Sequence, residues 1–127
     1  MKPDVEKHLR SADEILREIE HLMAGGFYRG VVGRAYYAML HAATAAMSAK
    51  KIEEGSRQAI VPAFAEAFVK TGLLDKKFLQ YFRQAFGART ESDSPLFASA
   101  DHRQAKTMLV RTKNFIAACR RLCEAEN

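Results

Sequence analysis

The stretch GRAYYAMLHAATAAM, running from Gly33 to Met47, constrains this chain more than any other. With successive residues about 100° apart on a helix, Val32, Tyr36, Met39, Leu40, Ala43 and Met47 gather on one side. Ala35, Ala38, Ala42 and Ala46 form a neighbouring strip of methyl groups, small enough to let another helix approach closely. The remaining side carries Arg34, Tyr37, His41, Thr44 and Ser48. It has none of the lysines and glutamates of a solvent face. A helix apolar nearly all round is a central one, covered by its neighbours or by a second subunit.

The other segments repeat with helical period as well. Val5, Leu9, Ala12, Ile15, Leu16, Ile19, Leu22 and Met23 make one apolar stripe, and Gly25 and Gly26 end it. The central helix is expected from about Tyr28 to Lys50. A third helix is expected from Arg57 to Lys70, either kinked at Pro62 or becoming regular close to it. Thr71 and Gly72 stop it, and Asp75 is placed to cap a fourth helix that turns Phe78, Leu79, Phe82, Ala85 and Phe86 inward. The turn-rich GARTESDSPLFAS follows, and the last helix begins near Ser99 or Asp101. No stretch alternates with strand period. The expected fold is all-α, an up-and-down bundle of four to five helices, in one domain over residues 1–127.

The N-terminal MKPDVEKHLR is charged from its start, and the longest uncharged run, Ala35 to Ala49, falls short of the ~20 residues that cross a bilayer. No membrane association and a cytoplasmic location are therefore expected. Cys119 and Cys123 stand at i,i+4 spacing with no second ligand pair, which reads as packed thiols rather than a metal site. The net charge of +5 and pI near 9.4 suit an anionic partner such as RNA, without requiring one.

Arg34 and His41 lie two turns apart, within about 20° of each other around the axis. An arginine on so apolar a helix must be paired or must reach a wet cleft, because an isolated buried charge costs several kcal/mol. Asp13, Glu14, Glu91, Asp93 and Asp101 are the candidate acids. Two readings stand side by side. In one, Arg34 holds a salt bridge and His41 is a hydrogen-bonded core or interface residue. In the other they line a cleft, arginine gripping phosphate through its planar fork and histidine moving a proton near neutral pH.

RAYYAMLHAATAAM resembles the signature helix of the HEPN domain (higher eukaryotes and prokaryotes nucleotide-binding), in particular its small prokaryotic subgroup with Arg-Ala-Tyr-Tyr-Ala. The approach GFYRGVVG, the Phe-rich middle from Ser56 to Thr90 and the Arg89–Asp93 segment are similar to the same family. Ala35 stands where a polar residue often follows the arginine, and Ser94 where the subgroup has tyrosine. The resemblance implies a bundle that dimerises, is encoded beside a minimal nucleotidyltransferase, and acts with it as a toxin–antitoxin pair. Several branches are metal-independent ribonucleases whose motif is an arginine, four to six residues, then a histidine. Arg34 and His41 match that spacing.

Three functions follow as expectations. In the first, RNA is cleaved by attack of its own 2′-hydroxyl, with Arg34 and His41 catalytic and Tyr37, Arg89 and Asp93 binding substrate. No metal or other cofactor is required. In the second, the bundle binds RNA, a nucleotide or the nucleotidyltransferase without chemistry, with Lys106, Arg111, Lys113, Arg120 and Arg121 supplying the field. In the third it is a structural homodimer. No Gly-rich phosphate loop, His-Glu-x-x-His or nucleophile elbow is present.

Overall fold

The chain folds around α2, which runs Tyr28–Ala49 and packs against α1 (Pro3–Ala24), α4 (Lys76–Thr90) and α5 (His102–Ala125). The structure is a computed structural model, and it describes residues 1–52, 59–90 and 98–125. Among them there are five α-helices and no strand. The short α3, Ile60–Phe64, continues into a wider π-helical turn over Ala65–Val69.

The local rules place the boundaries. Gly26 takes the left-handed conformation at φ 80°, while Phe27 N–H bonds to Leu22 O at 2.9 Å and Gly26 N–H to Met23 O at 3.2 Å. That pair of bonds is a Schellman ending, and it turns the chain back so that α1 and α2 run antiparallel. The end of α2 uses the same device, but Lys51 occupies the left-handed position at φ 60°. Asp75 Oδ1 accepts the Lys77 N–H at 2.8 Å, capping α4 as its sequence suggests. Asp101 and Gln104 exchange bonds of 2.8 and 2.9 Å in a reciprocal box that starts α5 at His102, within reach of the expected Ser99 or Asp101.

Pro62 sits in the first turn of α3, where its missing N–H breaks no helical bond, so the regular helix begins beside it. The expected start at Arg57 lies outside the described residues. The π-turn that follows is one the 3.6-residue pattern does not anticipate.

The central position of α2 shows in its burial. Ala35, Ala38, Ala42, Ala45 and Ala46 are all fully buried, as are Val32, Met39 and Met47. One end of the core is aromatic. Phe64 meets Phe68, Phe82 and Phe115 with ring centroids 5.2, 5.5 and 5.3 Å away, and Tyr36 packs on Phe82 and Phe86. Offset and edge-on rings at these distances are the favourable aromatic geometry. Thr112 is the one buried polar residue among those described, and its hydroxyl bonds to Met108 O at 2.7 Å. Cys119 and Cys123 are both buried and unbridged, and burial pushes both thiols up, Cys123 to about 11. No helix among the described residues is long and apolar enough to cross a membrane.

Candidate functional site

The polar stripe of α2 is the part its neighbours leave half open: Arg34, Tyr37, His41, Thr44 and Ser48 are all of intermediate burial. Near its N-terminal end the stripe faces a cleft of about 400 Å³ lined by Arg29, Gly30, Gly33, Arg34 and Tyr37 of α2 and Arg89 of α4. Gly30 and Gly33 bring no side chain to this wall, so ring and guanidinium groups define it. Gly30 also serves the fold, since a Cβ there would come within 3.2 Å of Leu22 on α1.

Tyr37 organises the charges. Arg89 donates from Nε to the Tyr37 hydroxyl at 2.9 Å, and its guanidinium carbon lies 5.3 Å from the ring centroid. The Arg34 guanidinium lies 5.3 Å from the same centroid. Both are within the ~6 Å over which an aromatic face attracts a cation. One phenol therefore holds two guanidinium groups that would otherwise repel each other, with a third, Arg29, on the same wall.

Arg34 is also tied on its other side, through Nη2 to Glu18 Oε2 at 3.0 Å. Its acid is thus none of those expected from the sequence. Asp13 is taken by Arg120, whose Nη2 reaches both carboxylate oxygens at 2.7 Å. Asp101 caps α5. Glu91 and Asp93 lie outside the described residues. The Arg34 and Glu18 side chains are 40% and 55% exposed, so Arg34 is a cleft residue and not a buried ion, and the pair contributes at most about 1 kcal/mol to stability.

His41 goes elsewhere. Its Nδ1 is 3.0 Å from Nδ1 of His8 on α1, the ring centroids 5.3 Å apart and the planes 32° apart. One ring donates and the other accepts in such a bond. His41 is not among the residues lining the cleft. It sits about 10 Å further along α2, seven residues at 1.5 Å each. The structure therefore brings Arg34, Tyr37 and Arg89 together and separates them from His41 along the helix. Among the described residues no cluster of His, Cys, Asp or Glu is spaced to hold a metal ion.

Sequence reasoning missed Arg29, Glu18 and His8. A signal for two of them was present. Folding the chain back at Gly25–Gly26 sets residues equidistant from the turn side by side, which brings Glu18 to Arg34 and His8 near His41.

The family model for the HEPN domain matches residues 5–122. The chain belongs to the HEPN domain family. Among its relatives, the Methanocaldococcus jannaschii protein named "Putative toxin MJ0142" is 25% identical over 126 residues, covering 99% of this chain and 86% of the relative. A UPF0332 protein of Thermotoga maritima is 25% identical over 120 residues, 94% of this chain and 91% of its own. A UPF0332 protein of Pyrococcus horikoshii reaches 32% over 78 residues, 61% of this chain and 55% of its own. The first two of these relatives align with this HEPN protein over nearly its whole length.

Proposed function

We propose that this HEPN protein is a toxin-like component that acts on RNA, gripping a phosphodiester between Arg34 and Arg89. The observation that carries the proposal is the placement of two guanidinium groups on one Tyr37 ring at the wall of an open cleft. Each guanidinium presents five N–H donors in a planar fork, and only part of each set is engaged by Glu18 and the Tyr37 hydroxyl. The remaining donors suit the paired oxygens of a phosphate. A relative named as a toxin, aligned over nearly the whole chain, supports the cellular role. In that role the protein works as a homodimer restrained by a minimal nucleotidyltransferase partner.

A second reading, metal-independent cleavage, is favoured by the His8–His41 pair. An RNA strand lying along α2 would meet the cleft first and His41 about 10 Å later. There the 2′-hydroxyl oxygen would attack the adjacent phosphorus while the imidazole takes its proton. The bond to the 5′-oxygen would then break, and that oxygen would receive a proton.

Labelled single-stranded RNA incubated in EDTA with the wild type, Arg34→Gln, Arg89→Gln and His41→Ala tests both readings. Lost binding in the two arginine variants is the expected result, and wild-type binding in both would overturn the proposal. Cleavage that disappears in His41→Ala is the mark of an enzyme. Binding without cleavage leaves a non-catalytic RNA- or nucleotide-binding module.

A further inference from the structure

The cations of α5, the exposed Arg121 apart, divide into two groups. Arg120 is clamped by Asp13, and Lys113 reaches Glu20 at 3.3 Å, so these two of the five expected to attract RNA instead tie α5 to α1. Nearer the start of the helix the pattern differs. Among the described residues no carboxylate pairs with Arg103, Lys106 or Arg111. These three share one helical stripe with Thr107, Val110 and Asn114, at spacings of three and four residues. The stripe lines a groove of about 580 Å³ closed on the α4 side by Tyr81. A second hollow of about 420 Å³ adjoins it, sharing Arg103, Thr107 and Arg111 and adding Gln84, Gln104 and Asp101.

At the centre of the groove Arg111 is held in place. Its guanidinium carbon lies 5.0 Å from the Tyr81 centroid, and Nη1 donates to Gln84 Oε1 at 2.6 Å. A guanidinium laid on an aromatic ring and pinned from the side presents a ready platform for a planar group. Val110, 47% exposed, adds an apolar wall beside it. From Arg103 to Asn114 the stripe spans about 16 Å, room for a few nucleotides of an extended strand.

We propose that this α4–α5 groove is a second binding site for single-stranded RNA, stacking a base on the Arg111–Tyr81 pair and holding phosphates on Arg103 and Lys106. The inference rests on the reading that the protein acts on RNA, and it adds a surface which that reading does not use. Charge complementarity commits the groove to an anionic occupant, since no acid lines it and Asp101, the one acid of the adjoining hollow, is turned into the cap of α5. The choice of RNA over an acidic helix follows from the lining. A docked helix needs several exposed apolar anchors along its length, and Val110 is the one exposed aliphatic among Thr107, Gln84, Gln104 and Asn114, since Met108, which also lines the adjoining hollow, is buried. A duplex offers no open base face to the platform, whereas an unpaired strand does. His102 lines the groove and meets Tyr28 edge-on at 5.5 Å, and Tyr28 precedes Arg29 of the cleft.

The test is anisotropy binding of a labelled 2′-O-methyl oligouridine, which cannot be cleaved, to the full chain. Tyr81→Leu should weaken binding about 5- to 150-fold, the loss of one stacked base. The exposed Lys106→Gln, which leaves packing untouched, should lower the slope of log affinity against log salt by about 0.7. An abasic strand of the same length should bind the wild type and Tyr81→Leu alike. Normal binding in both groove variants, with loss in Arg34→Gln, overturns this inference and leaves the cleft proposal standing. The opposite pattern keeps the groove and removes the cleft. No binding by the wild type, or competition by polyglutamate but not by RNA, overturns the groove as an RNA site.

Discussion

Replacing Tyr37 by alanine removes the ring that holds Arg34 and Arg89 in place. Each guanidinium loses a cation–π contact of about 0.5–1 kcal/mol at a half-exposed site. Arg89 also loses the acceptor for its Nε–H. Arg89 would then be ordered only when RNA arrives and Arg34 would be held by Glu18 alone, at a rotamer cost of up to about 0.5–1.5 kcal/mol each. The ordering cost of the two side chains, about 1–3 kcal/mol, corresponds to RNA binding weakened roughly 5- to 150-fold. Tyr37→Phe keeps the ring and removes only the hydroxyl, so a smaller loss of about 2- to 10-fold is expected. Because the site is open, the melting temperature should fall by only a few degrees in either variant. Anisotropy with uncleavable RNA at fixed salt reads the effect directly. Binding by Tyr37→Ala within about twofold of wild type would refute the role assigned to the ring.

Other outcomes follow from the packing. Phe64→Ala opens a hole among Phe68, Phe82 and Phe115 and should cost about 3–5 kcal/mol, seen as a melting temperature lower by about 10–20 °C. Lys51→Gly relieves a left-handed residue at the end of α2 and should raise the urea midpoint, by about 0.5–1 kcal/mol of stability. The thiol values fix the sign of an alkaline effect. The folded state keeps Cys119 and Cys123 protonated above the pH near 9 at which an exposed thiol ionises, so stability falls as pH rises from there toward about 11. Between pH 8 and 10 the Cys119→Ala/Cys123→Ala protein should lose roughly 1–3 kcal/mol less than wild type in urea melts, and equal losses would contradict that assignment.

Much of the fold is legible in the residues because helix rules are local. The alanines of α2 mark it as central, Gly26 and Gly72 mark the stops, and Asp75 marks a start. The π-turn over Ala65–Val69 is not legible, since one extra residue in a turn leaves no mark on a short apolar run. The site was only half legible for a different reason. A helical wheel gives the angle of a side chain and discards its height. Arg34 and His41 share an angle, but each is claimed by a different residue of α1, Glu18 for one and His8 for the other. Tyr37 and Arg89 were both marked by the family resemblance. That they touch depends on α4 returning antiparallel to α2, a long-range fact that no spacing encodes.

The claim that the Tyr37 cleft grips RNA phosphate is tested most directly by nitrogen-edited NMR of the arginine side chains during titration with a short uncleavable RNA. The expected result is movement of the Arg34 and Arg89 Nε–H resonances in step with binding. Saturated binding with both resonances unmoved would contradict it.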